Sequence, residues 1–179
     1  MKYWWRLIML LPIITLIIGC NKEIRPEQYN CMFVKNAEIK GEGGNFISIT
    51  DGKKIVFVYH YTSAYYGATD TSTWEVLSFE VDPNSRSLEF IDDEIEKANC
   101  TCSITGPWSY GGGKAKSGSI MGKKLASGEY ELTVNINVPF TYTSGETKKY
   151  RIRFRRIFSE YEGKYTQLQI PTILDIKDY

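Results

Sequence analysis

Beyond residue 30 the chain is written in short runs of alternating apolar and polar residues, rich in Val, Ile, Tyr, Phe and Thr and broken by Gly, Asn, Asp and Ser. No segment after residue 20 keeps a period of about 3.6 residues, so the pattern predicts strands rather than amphipathic helices. Strands are expected at 31–39, 45–50, 54–61, 73–81, 87–91, 98–104, 116–122, 129–142, 148–158 and 165–170. In the longest alternation Tyr130, Leu132, Val134, Ile136, Val138 and Phe140 oppose Glu131, Thr133, Asn135 and Asn137, which makes one face core and the other wet. The return strand sets Tyr150, Ile152 and Phe154 against Lys149, Arg151, Arg153 and Arg155. Apolar matching about Gly145 pairs Val138 with Ile152 and Ile136 with Phe154, and the broken rhythm at Arg155 and Arg156 predicts a β-bulge near Arg156.

Two further segments refine this picture. Ile55, Phe57, Tyr59 and Tyr61 alternate with Val56 and Val58, so the strand is apolar on both faces and must be central or doubly covered. Asp82, Pro83, Asn84 and Ser85 have the chemistry of a tight turn, with Pro presetting φ and Asp accepting a backbone hydrogen bond; the turn is expected to join 74–81 to 87–91 as a hairpin. Residues 92–96 (DDEIE) fit either one helical turn or a solvated loop. About ten antiparallel strands define an all-β class, a two-layer sandwich or a closed barrel, with a lipocalin-like barrel as one member of that set.

The N-terminal pattern is different. Lys2 and Arg6 precede an apolar run from Leu7 to Ile18 interrupted only by Pro12 and Thr15. A bilayer core needs roughly 20 apolar helical residues, so this run is short for a span and reads as an export signal. It ends Ile17-Ile18-Gly19-Cys20, with a branched aliphatic three residues before the cysteine and a small residue just before it. This resembles the lipobox of bacterial lipoproteins, and the resemblance covers the signal region alone. It implies a diacylglyceryl group on the Cys20 thiol, cleavage before Cys20, and acyl chains that hold at about 0.8 kcal/mol per buried methylene. The expected organisation is a signal peptide over 1–19, a lipidated polar tether over 20–30 and a single β domain over 31–179. The expected address is the bacterial cell envelope, the outer membrane rather than the inner because Asn21 follows the cysteine instead of Asp.

Composition adds mainly exclusions. The formal charge is +1, and loss of Lys2 and Arg6 with the signal leaves −1, which gives no electrostatic case for nucleic acid. Once Cys20 is lipidated, Cys31, Cys100 and Cys102 remain. In an oxidising compartment Cys31 can bridge to Cys100 or Cys102, or all three can stay reduced. Their spacing lacks the paired Cys-x-x-Cys of structural zinc, and no metal or cofactor is expected.

No catalytic constellation emerges. His60 is the single histidine and lies in a strand with no nucleophile-elbow pattern nearby. The acids Asp92, Asp93, Glu94 and Glu96 have neither a second acidic partner across a cleft nor the spacing of a calcium loop. The glycines at 41–44 and 111–113 lack the Lys-Ser/Thr of a phosphate loop and read as flexible turns. Two surfaces remain. Tyr61, Tyr65, Tyr66, Trp108 and Tyr110 lie in Gly- and Ser-rich stretches that suit a binding platform or a cover over the end of the core. Lys149, Arg151, Arg153 and Arg155 share one wet face, which suits an anionic headgroup or glycan, or pairing with Glu129, Glu131, Glu160 or Glu162. The expectation is a non-enzymatic, membrane-anchored binding or envelope-structural module whose partner is an envelope protein, a glycan or a small apolar ligand. A lipocalin-like carrier is the alternative, and an enzyme of unrecognised type the third.

Overall fold

The alternating segments do form a β domain. The computed structural model describes residues 24–40, 48–63, 65–66, 73–85, 88–106, 109–141 and 145–163. Within them run β1 (Ile24–Arg25), β2 (Gln28–Lys40), β3 (Ser48–Thr62), β4 (Tyr65–Tyr66), β5 (Trp74–Val81), β6 (Leu88–Ile91), one helical turn α1 (Glu94–Lys97), β7 (Thr101–Gly106), β8 (Ser109–Lys114), β9 (Ser117–Lys124), β10 (Tyr130–Thr141) and β11 (Thr147–Glu160). Nine strands make one sheet in the order β6-β9-β10-β11-β2-β3-β5-β7-β8, and β1 pairs with β4 separately. Only β11 and β2 run parallel, through Ser159 opposite Met32 and Glu160 opposite Phe33. The order ends on β6 and β8, which do not pair with each other, so the sheet is not closed into a barrel. Only Ala115 and Lys116 separate β8 from β9, so the chain itself bends from one end of the sheet back toward the other.

One core unites the sheet. Phe33, Phe57, Phe79, Leu132, Val134, Ile136, Ile152 and Phe158 belong to a single buried cluster drawn from β2, β3, β5, β10 and β11. Phe57 lies at its centre, stacked on Phe79 at 5.1 Å and meeting Phe158 and Tyr130 edge-on at 5.8 and 5.1 Å. The opposite face of β2, β3 and β5 is buried as well, with Met32, Val34, Val56, Val58 and Val76 in a second cluster. Part of its cover comes from the far end of the β2–β3 hairpin. At Asn36 (φ 53°) and Ala37 the ladder shifts register, and Ile39 and Ile49 join that cluster while the Ile39 amide donates to Glu80 Oε1 at 2.5 Å. The doubly apolar segment over 55–59 is therefore buried on both faces, as its pattern required.

Several expectations change. Residues 48–62 are one strand, because the irregularity at 51–54 is absorbed as a bulge instead of ending the ladder. The turn at Asp82 forms, with Asn84 N donating to Asp82 Oδ1 and Ser85 N to Asp82 O, both at 2.9 Å. It does not make a hairpin, since β5 pairs with β3 and β7 while β6 pairs with β9. Between β10 and β11 the register is two residues from the expected one, Ile136 facing Ile152 and Val134 facing Phe154, and it runs without a bulge past Arg156. Residues 94–97 take the helical reading, with Ile95 fully buried beneath the turn. The glycines at 111–113 form β8 rather than a flexible turn: a Cβ on Gly112 would come within 2.3 Å of Cys102 O, so the bare backbone permits the close pairing with β7. The tether is shorter than expected, because β2 already begins at Gln28. Residues 41–44 and 165–170 lie outside the described residues.

Candidate functional site

Among the described residues β2 and β11 pair at Ser159 and Glu160 alone, and from Cys31 back to Gln28 no described strand pairs with β2 on that side. At this end of the core the inward-facing positions stop being aliphatic. Along β3 and β2 they become Tyr59, Tyr61, Cys31 and Tyr29; along β5 the series Val81, Phe79, Leu77 ends in Glu75; along β11 it ends in Tyr150. Across the core, the Tyr150 hydroxyl donates a hydrogen bond to Glu75 Oε1. The Tyr29 and Tyr61 rings stack at 5.0 Å, and their hydroxyls donate to the two oxygens of Glu27 at 2.9 and 3.2 Å. Tyr59 lies deeper, stacked on Phe154 at 4.0 Å. Arg156 holds its guanidinium 4.2 Å above the Tyr29 ring.

Electrostatics follow from this packing. Burial raises the Glu75 carboxyl above the ordinary glutamate range, opposed by the hydrogen bond from Tyr150. A carboxyl raised on folding favours the folded state below its unfolded pKa, and that contribution is lost as pH climbs through the raised value. Glu75 in its ionised form therefore costs stability near neutrality. Burial first, then Glu27 and Glu75, push Tyr61 up to about 12, and burial likewise raises Tyr59 and Tyr150. Near neutral pH these hydroxyls keep their protons and act as donors.

The other candidates are spread over β2, β3, β4, β7 and β8. Tyr65 and Tyr66 lie in β4, opposite Arg25 and Ile24, and Tyr110 in β8 opposite Thr105, while Trp108 lies outside the described residues. Among the proposed platform residues, Tyr61 belongs to the cluster. His60 alternates with Tyr59 and Tyr61 toward the other face of β3, and burial lowers its pKa. Cys31, Cys100 and Cys102 are free thiols. Cys31 on β2 and Cys102 on β7 lie three strands apart in the sheet order, about 14 Å at the usual spacing, farther than the roughly 7 Å between Cα atoms that a disulfide spans. Burial raises Cys31 to about 11 and Cys100 to about 12. Among the described residues no three His, Cys, Asp or Glu side chains group as metal ligands. Cys20 lies outside the described residues.

The basic face has partners. Arg155 donates from Nε and Nη2 to Glu131 Oε1 at 3.0 and 2.8 Å, Lys123 reaches Glu131 at 3.2 Å, and Arg151 Nε donates to Asn135 at 2.8 Å. Lys149 and Arg153 are exposed beside them. Exposed pairs of this kind contribute little. Replacing Arg151, Arg153 and Arg155 together by Gln is expected to move the melting temperature by less than about 5 °C. A larger fall in a thermal melt, or aggregation, would show that the arginines hold or protect the sheet.

Glu75, Tyr150, Tyr29, Glu27 and Arg156 are the members of the cluster that the sequence reading did not single out. Two of them leave a visible signal. Glu75 opens the otherwise apolar series Leu77, Phe79, Val81, and Arg156 interrupts Ile152, Phe154, Phe158 on the inward face of β11. The chain matches no family model, no curated protein and no solved structure.

Proposed function

We propose that this chain is an envelope lipoprotein, anchored through acylated Cys20, whose β domain is a non-enzymatic binding module with its ligand at the tyrosine and carboxyl end. The observation that carries the reading is the inward pair of Glu75 and Tyr150. A carboxyl turned into a core costs stability, and a tyrosine bonded to it across the sheet is no better for packing than a leucine would be. Side chains that work against the fold in this way belong to a site. Seven residues lie between Cys20 and Gln28, so even a fully extended chain keeps the anchor within about 29 Å of the start of β2, which is the tyrosine end.

We read the sheet as a folded two-layer sandwich. The lipocalin-like carrier is the weaker reading, because Phe33, Phe57, Phe79 and Phe158 fill the space where such a fold holds its ligand. Tryptophan fluorescence during titration with fatty acids and with glycans separates the two, since saturable fatty-acid binding with a blue shift favours a carrier. The anchor has its own test. Cys20→Ala is expected to abolish labelling by radioactive palmitate and to release the chain from the membrane fraction. Unchanged labelling would remove the lipoprotein reading.

A further inference from the structure

We infer that the tyrosine and carboxyl end is a receptor for an alkylammonium group, an organic cation carrying a quaternary or primary amine; this rests on the binding-module reading above and names its ligand class. Three features point the same way. First, aromatic rings stand at the exposed end: Tyr29 is exposed and stacks at 5.0 Å on the half-buried Tyr61. Ring faces carry the negative lobe of the quadrupole and attract a cation that settles within about 6 Å. Second, the protein already uses the platform this way, since the Arg156 guanidinium sits 4.2 Å over Tyr29. Third, three tyrosine donors are already committed: the hydroxyls of Tyr29, Tyr61 and Tyr150 all donate to carboxylates, and the oxygens of Glu27 and Glu75 can accept further hydrogen bonds.

A ligand rich in acceptors, such as a phosphate or a carboxylate, would meet two carboxylates against one guanidinium. A group that only donates, or that carries charge without donors, meets acceptors and ring faces. A neutral sugar can donate its hydroxyls to the same carboxylates but brings no positive charge to the ring faces, so a neutral isostere separates it from an ammonium. A phosphoethanolamine-type lipid headgroup and a soluble amine both present this ammonium, and the recognised chemistry is the same.

The test uses the full chain in detergent micelles, with choline chloride and ethylamine hydrochloride as probes, and reads aromatic fluorescence. Saturable choline binding is expected, with the neutral isostere in which carbon replaces nitrogen at least about tenfold weaker. Glu75→Gln keeps the size and a partner for Tyr150 and is expected to weaken choline about tenfold without lowering the melting temperature. Arg156→Gln removes the internal competitor and is expected to tighten choline several-fold, an effect that a purely structural arginine would not produce. Competition by phosphatidylethanolamine nanodiscs assigns the headgroup as the source, and its absence assigns a soluble amine; both support the site. Equal binding of choline and its neutral isostere, or no change with Glu75→Gln, overturns the proposal. If neutral ligands or glycans still bind and Tyr29→Ala abolishes that binding, the end is a site for another class and the binding-module reading stands. If no class of ligand saturates, both readings fall.

Discussion

Phe57→Ala is expected to cost about 4 kcal/mol, close to the whole stability of a domain of this size. Phe57 is fully buried and meets four other rings, Phe33, Phe79, Tyr130 and Phe158, at centroid distances between 5.1 and 5.8 Å. Those rings come from β2, β5, β10 and β11, so one side chain ties together strands on both sides of the weak β11–β2 seam. Truncation to alanine removes the buried ring and leaves a cavity whose walls belong to different strands and cannot close in concert. Phe57→Leu keeps most of the volume and should cost about 1–2 kcal/mol, the loss of ring contacts with partial repacking. Urea denaturation of both variants checks the pair. Similar midpoints for the two would mean that the ring contacts and the cavity matter little and that the seam is held elsewhere.

The parts of the fold legible in the sequence are those that repeat. Alternation from Tyr130 to Val138, and the double-sided apolar segment around Phe57, announced strand, face and burial because period-two patterning depends only on which side of a sheet a residue occupies. Pairing between distant strands left no such trace. The Asp82 turn has unmistakable local chemistry, yet the strands it connects choose partners elsewhere, a choice made by packing that a four-residue turn cannot express. Gly111 to Gly113 misled in the opposite direction: glycine suits a loop, but here it lets β8 approach Cys102 where a side chain would collide.

The candidate site follows the same division. Tyr61 was picked out by composition, as one aromatic among several near small residues. Glu75 and Arg156 are visible in the sequence as polar residues on apolar faces, but a broken rhythm such as that at Arg156 is also the signature of a bulge. The β10–β11 register runs straight through Arg156, so the alternation holds and the arginine stands on the face of Phe154 and Phe158 with its side chain exposed over Tyr29. What the sequence lacked was the knowledge that β2 and β11 meet over two residues only, which leaves space for a guanidinium to lie over Tyr29.

Gly118→Ala is expected to destabilise the protein by about 3–4 kcal/mol, far more than the same change at Gly145. Both glycines have positive φ, 123° at Gly118 and 85° at Gly145, so each substitution carries a conformational penalty of about 1–2 kcal/mol. They differ in what a Cβ would touch. At Gly145 nothing lies within 4 Å, whereas at Gly118 the new carbon would fall 2.2 Å from Asn135 O and 2.7 Å from Ile136 Cα, both backbone atoms of β10. Backbone inside a paired strand cannot step aside without breaking its ladder, so β9 would have to move. That movement would strain two more bonds, because Gly118 N donates to Asp92 Oδ1 at 3.0 Å and Gly118 O accepts from Asp92 N at 2.8 Å. Asp92 itself sits at φ 47° between β6 and α1, so the damage would spread to the corner that places Ile95 in the core. Thermal melts of the two variants side by side isolate the steric part, since the φ penalty is common to both. Equal losses at Gly118 and Gly145 would show that β9 can shift freely and that this corner does not fix the edge of the sheet.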